Sequence, residues 1–263
     1  MEYQGAPIKG NIFLSCSKQT HYSREVILSQ HALLHVFDGE LRVHNGTAEK
    51  VYHSGDTVLI PRNYLCRLSK YPVNEKPFKS ISILFPEEQI RKHFEPNTGK
   101  KHSGHLTIAP HPLLESLFSS LLPYFDMHEE LPADLAAIKI DETMTILKKV
   151  YQPTSEVLAT FDEPGKIDLG EYMEQHYMYN LPLEKFGYLT GRSLTTFKKD
   201  FKHIYQTTPG KWLTQKRLAL AHYQIFVQKK KVTDVYLDAG FENLSHFSFA
   251  FKKQYGYSPT NNK

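Results

Sequence analysis

Two stretches of this chain, 50 residues apart, carry the same pattern of side chains. Phe201-Lys202-His203-Ile204-Tyr205-Gln206-Thr207-Thr208-Pro209 recurs as Phe251-Lys252-Lys253-Gln254-Tyr255-Gly256-Tyr257-Ser258-Pro259, and Phe197 recurs as Phe247. In the first copy Leu194, Phe197, Phe201 and Ile204 fall at spacings of three and four and predict one buried helical stripe. The opposite face then carries Thr195, Thr196, Lys198, Lys199 and Lys202. Hydroxyl donors mixed with ammonium groups are what base edges and phosphates in a major groove can accept. In the second copy Leu244, Phe247 and Phe251 predict the buried stripe, and Ser245, His246, Ser248, Phe249, Lys252 and Lys253 the outward face. An aromatic ring at Phe249 fits either a thymine methyl or a contact inside the protein, and both readings stand at this point.

Such a helix needs a partner helix and a tight turn to hold it. Leu183 to Leu189 reads as the partner in the first copy, with Thr190-Gly191-Arg192 as the turn and Ser193 as N-cap. Val232 to Ala239 plays that part in the second copy, with Gly240 in the turn and Asn243 or Ser245 opening the helix. Between them Pro209 to Val227 predicts a helix with Pro near its start, roughly 25 to 30 Å long at ~1.5 Å per residue. That length suits two helices entering major grooves about 34 Å apart. Lys216, Arg217 and Lys229 to Lys231 read as phosphate or solvent contacts. Two copies are too few to stack as a solenoid, so they are read as two related modules.

The charge distribution points the same way. The chain has 263 residues and a formal net charge of +4, with 40% hydrophobic and 13% aromatic residues, ample for packed cores. Residues 166 to 263 hold 15 Lys+Arg and 8 Asp+Glu, a net +7, whereas residues 1 to 165 hold 17 and 20, a net −3. A basic part joined to a mildly acidic one is the footprint of a nucleic-acid binder with a separate regulatory half. Met1 to Gly10 lacks the pattern of a signal peptide, and no apolar run approaches a membrane span. Cys16 and Cys66 are too few for a disulfide framework. The expectation is a cytoplasmic protein with no membrane contact.

The N-terminal half changes period. From Ile12 to about Phe85 short apolar runs (Glu25 to Leu28, Leu33 to Phe37, Leu41 to Val43, Thr57 to Ile60, Ile81 to Phe85) are separated by turn signals at Asp38-Gly39, Asn45-Gly46, Ser54-Gly55-Asp56 and Tyr71-Pro72. These predict a small β-barrel or sandwich. Helices are expected over Glu87 to Phe94, Leu113 to Phe125 and Ala133 to Val150, the last with an apolar stripe of Leu135, Ile138, Met144, Ile146, Leu147 and Val150. The Pro96 to His105 stretch reads as a mobile loop. The resulting class is α+β: a β-barrel with trailing helices over residues 1–151, a linker over 152–165, and an all-α part of two helix-turn-helix units over 166–263.

Other chemistry is thinly represented. His31 and His35 share a strand face, but the closely spaced set of histidines and a carboxylate that a transition metal needs is missing, and His102 with His105 forms only a weak pair. No nucleophile elbow, phosphate-binding Gly loop or zincin motif occurs, so the sequence calls for no catalytic residue, metal or cofactor.

Residues 166 to 263 resemble the two-module DNA-binding domain of AraC-type (AraC/XylS) transcription regulators. The resemblance rests on the run from Asp238-Ala239-Gly240-Phe241 to Phe251-Lys252-Lys253, on Tyr255-Gly256-Tyr257-Ser258-Pro259, and on Arg217-Leu218-Ala219 with Ala221. It implies a sequence-specific transcription regulator, not an enzyme, that places its two helices in neighbouring major grooves; activator is the expected sign, while the sequence itself selects neither activation nor repression. It assigns DNA contacts to Arg192, Ser193, Thr195, Thr196, Lys198, Lys199 and Lys202 in the first module and to Asn243, Ser245, His246, Ser248, Phe249 and Lys252 in the second. Lys199 stands where Arg is common, and Gly187 where Ala is frequent. Asp38-Gly39-Glu40-Leu41 and Gly55-Asp56-Thr57-Val58-Leu59-Ile60-Pro61 resemble the cupin-like sensory domain of such regulators. Double-stranded DNA is the expected partner, with RNA polymerase and a second copy of the chain as candidates, the latter through the helices of residues 111–151. A small-molecule effector, a protein effector and no effector are all left open, and a cupin-like enzyme or metal-binding protein fused to a DNA-binding module is the competing reading.

Overall fold

A computed structural model describes residues 11–46, 48–96, 104–124, 132–151 and 153–260. It divides into two compact units, residues 1–162 and 163–263; of the stretch read as a linker, Pro153–Leu158 is a helix whose Thr154, Val157 and Leu158 are buried in the first unit.

Among the described residues of the first unit, nine strands form two antiparallel sheets. The strands are β1 Ile12–Ser17, β2 His21–Ile27, β3 His31–Asp38, β4 Glu40–His44, β5 Glu49–Tyr52, β6 Thr57–Ile60, β7 Leu65–Tyr71, β8 Phe78–Phe85 and β9 Leu106–Ile108. One sheet runs β1-β8-β3-β6-β9 and the other β2-β7-β4-β5, and no hydrogen-bonded ladder closes them into one barrel among the described residues. In β3, Ala32, Leu34 and Val36 face a core shared with Leu41, Val43, Cys66 and Leu68 of the other sheet, whereas Leu33 faces helices packed outside. Burial on both faces explains why β3 and β6 read as continuous apolar runs. The outer face of the second sheet is polar: β4 alternates, and the Arg42 guanidinium lies 4.3 Å from the centre of the Tyr71 ring.

Helices α1 Glu87–His93, α2 Pro112–Ser119, α3 Ala133–Val150 and α4 Pro153–Leu158 accompany the first sheet. On α3 the buried apolar side chains are Ala136, Ile140, Met144, Ile146 and Leu147, and they join Leu114, Phe118, Val157 and Leu158 in the outer core. Ile138, expected in the stripe, is 61% exposed. At about 100° per residue it lies on the far side of the helix from Ala136. The stripe by which two copies were expected to associate is therefore largely covered by the unit's own core. None of the described helices is long and apolar enough to cross a membrane.

The second unit is helical: α5 Leu169–His176, α6 Leu183–Leu189, α7 Leu194–Tyr205, α8 Pro209–His222, α9 Val232–Asp238 and α10 Leu244–Tyr255. Helix α8 runs on into a π-helical turn, Tyr223–Val227. It serves two cores. Trp212 and Leu213 pack with Leu169, Met173, Phe186, Phe197 and Phe201, whereas Leu218, Ala221 and Ile225 pack with Val235, Phe241, Phe247 and Phe251. One helix built into both modules couples their folding.

Candidate nucleic-acid interface

The first module shows how a short sequence fixes a recognition helix. After α6 the Thr190 hydroxyl donates to the carbonyls of Phe186 (2.8 Å) and Gly187 (3.0 Å), and the Arg192 amide donates to Gly187 O at 2.8 Å. Gly191 turns the chain at φ +66°, which a residue with a Cβ adopts only at a cost. Ser193 Oγ then accepts from the Thr196 amide at 3.3 Å, capping α7. Phe197 and Phe201 are fully buried, so Thr195, Thr196, Lys198, Lys199 and Lys202 emerge on the exposed side. Ile204, expected in the stripe, is 48% exposed; Tyr205 packs in its place, 4.6 Å from both the Phe201 and Trp212 rings.

Arg192 is turned inward. Its side chain is 7% exposed, with Nε 3.0 Å from Asp200 Oδ2 and Nη1 donating to the carbonyls of Ile167 (3.0 Å) and Thr190 (2.6 Å). That hydrogen bond, helped by the charges of Lys166, Arg192 and Lys199, holds the Asp200 carboxyl below the ordinary carboxylate range. Arg192 thus ties the turn to the middle of α7.

The second module repeats the plan with a turn one residue longer, its partner helix and turn glycine offset by 49 residues and its cap and recognition helix by 50. Asn243, 50 positions after Ser193, is the N-cap, its Oδ1 accepting from the His246 amide at 2.7 Å. Helix α10 has the same twelve-residue length as α7, and Gly256 ends it at φ +82° where Gln206 ends α7 at φ +53°. Phe247 and Phe251 are buried, as Phe197 and Phe201 are. Ser245, His246, Phe249, Lys252 and Lys253 are exposed and Ser248 is half-buried. Leu244, expected inside, is 40% exposed at the helix start, and Phe249 is 70% exposed. Among the described residues Phe249 is thus not buried in a core, which was one reading of it.

Basic side chains on α8 behave differently from the sequence reading. Arg217 Nε donates to Tyr177 O at 2.8 Å and Nη2 to Tyr179 O at 2.5 Å, and Lys216 Nζ lies 2.6 Å from Glu174 Oε2. Both are engaged within the protein. The segment held by Arg217 also meets the second module: Asn180 Nδ2 donates to Glu242 Oε1 at 2.9 Å, and Gly240 lies against the Met178 carbonyl. Sequence reasoning missed this brace because its partners are backbone carbonyls some 40 residues away. Lys229, Lys230 and Lys231 remain exposed.

In the first unit His31 and His35 do share a face of β3, but Cys66 belongs to the core on the other side of that sheet, so the three do not converge. His35 Nδ1 is 2.9 Å from Thr57 Oγ1 and its ring stacks on Phe118 at 4.1 Å. Burial holds both His31 and His35 at a pKa of about 4, and pushes the Cys66 thiol up to about 12, so it is an inert core group. His31 also borders a recess of about 290 Å³ with Arg62, Glu87, Ile90 and Phe161. His102 lies outside the described residues; His105 Nδ1 is 3.0 Å from Tyr64 Oη. No group of three or more potential metal ligands occurs among the described residues.

Comparison with known proteins adds to this geometry. Residues 189–262 match a helix-turn-helix domain model, and residues 31–160 match the ExsA N-terminal regulatory domain. The thermoregulatory protein LcrF of Yersinia pestis is 26% identical over 151 residues, 57% of this chain and 55% of its own length. The HTH-type transcriptional regulator ExsA of Pseudomonas aeruginosa is 27% identical over 164 residues, 61% of this chain and 58% of its own. The matched stretch thus spans little more than half the length of these curated relatives. Among solved structures, ToxT of Vibrio cholerae aligns over 95% of this chain and 92% of its own, at 13% identity and a TM-score of 0.42. Residues 189–262 thus carry a helix-turn-helix domain of the AraC type.

Proposed function

We propose that this chain is a sequence-specific DNA-binding transcription regulator whose α7 and α10 enter neighbouring major grooves of one duplex. The observation that carries this reading is the pair of equally long, equally capped helices, each with its aromatic pair buried and its basic, hydroxyl-bearing face left open. Thr195, Lys198 and Lys199 on α7, and Ser245, His246 and Phe249 on α10, stand where side chains meet base edges. Thr196, Lys202, Ser248 and Lys252 flank them toward the phosphates. Ser193 and Asn243 act through their caps, presenting helix N-termini to phosphate, and Arg192 acts by positioning α7.

The first unit serves as the regulatory half, a cupin-like double sheet whose family match is to a regulatory domain. An effector that enters the recess beside His31 meets the Arg62–Glu87 ion pair, 3.1 Å apart, at its edge. In this reading the protein acts in the cytoplasm as an activator, with RNA polymerase as its further partner, and catalyses no reaction. The competing metal-dependent or enzymatic barrel draws no support from His31, His35 and Cys66: the two histidines face away from the inter-sheet core on the first sheet, and Cys66, from the second sheet, lies inside that core.

The test is binding of the full chain to duplex DNA across a salt series, with Lys202→Ala and Lys252→Ala alongside. Neutralising several phosphates makes log K fall steeply with log salt, and each lost phosphate contact lowers that slope by ~1. A flat salt dependence, or lysine variants indistinguishable from the parent chain, contradicts the assignment.

A further inference from the structure

Resting on the proposed DNA-reading function, we infer that Phe249 reads a thymine methyl, so that the two modules recognise chemically different half-sites and fix the protein's direction on its operator. The argument starts from register. With the modules offset by 50 residues and both helices capped at the same positions, Phe249 is the counterpart of Lys199. Both occupy the centre of the outward face. At about 100° per residue, residue 249 lies roughly 180° from the midpoint of the buried Phe247 and Phe251, as residue 199 does from Phe197 and Phe201.

The two centres differ in kind. The first module offers an ammonium, suited to guanine O6 and N7 or to phosphate. The second offers a ring that can donate and accept no hydrogen bond and is 70% exposed. Aromatic contacts crowd the inner side of α10, where Phe247 and Phe251 lie 5.6 Å apart and Phe251 and Tyr255 4.7 Å; the outer ring stands apart from them. Its neighbours on the outward face, Ser245, His246, Lys252 and Lys253, are polar or basic and exposed. An apolar centre within a basic rim matches a groove wall lined by phosphate with a methyl group at its floor. Of the four bases only thymine presents a methyl in the major groove.

The experiment uses the full chain. A site is enriched from a randomised duplex pool, and each thymine in it is then replaced singly by deoxyuridine, which removes the methyl and leaves every hydrogen-bonding edge in place. One or two thymines in the half-site of the second module are expected to show about a three- to five-fold loss of affinity per methyl. That loss should vanish in Phe249→Ala, and Phe249→Lys should shift the preference of that half-site toward guanine. Since the ring is exposed, unchanged circular dichroism and melting are expected for both variants. Uridine replacements that are all neutral, or that cost the same in Phe249→Ala, overturn the inference while the DNA-reading function stands. Unchanged DNA affinity in Phe249→Ala with loss of transcription in a purified system assigns the ring to a protein contact and overturns it too. A pool that yields no enriched sequence overturns both the inference and the function beneath it.

Discussion

Gly240 and Gly256 share a backbone conformation, φ +82°, yet should respond very differently to a single methyl group. A Cβ at Gly256 meets nothing within 4 Å. Gly256→Ala therefore bears only the left-handed backbone penalty, about 1–2 kcal/mol, partly offset by a stiffer unfolded chain worth about 0.4–1 kcal/mol. A net loss of about 1 kcal/mol results. A Cβ at Gly240 would lie well under 3.0 Å from the Met178 carbonyl oxygen and 3.0 Å from Arg217 Nε. Those atoms cannot yield cheaply, because Arg217 is bonded to the carbonyls of Tyr177 and Tyr179 on either side of Met178. Adding an overpacking cost of about 1–3 kcal/mol puts Gly240→Ala at about 2–4 kcal/mol. Urea unfolding of the full chain, followed by the fluorescence of Trp212, isolates the second unit because this is the chain's single tryptophan. Equal losses in the two variants, or a neutral Gly240→Ala, would refute the idea that the 177–180 segment braces the second module.

Other consequences can be checked with the same tools. Ser193→Ala and Asn243→Ala should each cost about 1 kcal/mol in the Trp212-detected transition, the usual value of an N-cap, and a change within error at both positions would contradict the caps. Ile138→Lys should leave stability unchanged within about 0.5 kcal/mol, whereas Met144→Ala on the buried side of α3 should cost about 2–5 kcal/mol, read by thermal melting. Acid should weaken the first unit. His31 and His35 are held neutral in the folded state at a pKa of about 4, against 6.5 when unfolded, so their contribution is intact above pH 6.5. It is lost as pH falls through that window at about 1.4 kcal/mol per pH unit for each ring. Urea titrations between pH 7 and 4 should show this slope, reduced by about half in His35→Gln; an unchanged slope in that variant would mean that other groups carry it.

The parts of the fold legible in the sequence were those with strong periodicity and definite punctuation. Helix α3 between Ala133 and Val150, α6 between Leu183 and Leu189, and the N-cap Ser193 all follow from residue spacing and capping chemistry, whereas between Asn243 and Ser245 only the structure selects Asn243 as the second cap. Strands β1, β5, β7 and β9 were not among the runs named, and charged residues interrupt β5 and β7. In β7, Lys70 is nonetheless largely buried, its Nζ 2.8 Å from Ser15 Oγ, and that burial lowers its pKa. Periodicity also misplaced Ile204 and Leu244, since near a helix end a wheel gives the direction of a side chain but not what lies opposite it, and Ile138 was counted in a stripe although the wheel sets it on the far side of α3. In the interface, the outward faces of α7 and α10 were readable from the repeat. The inward turn of Arg192 and the grip of Arg217 were not, because both act on carbonyls or on a carboxylate whose approach depends on the folded turn.

The most direct test of the central claim is selection of full-length protein on a randomised duplex pool, repeated with Lys199→Ala and with His246→Ala. The account predicts one enriched site made of two elements about 10 base pairs apart, with each substitution relaxing a different element. A single undivided element, both substitutions acting on the same base pairs, or salt-dependent binding without any enriched sequence would contradict it.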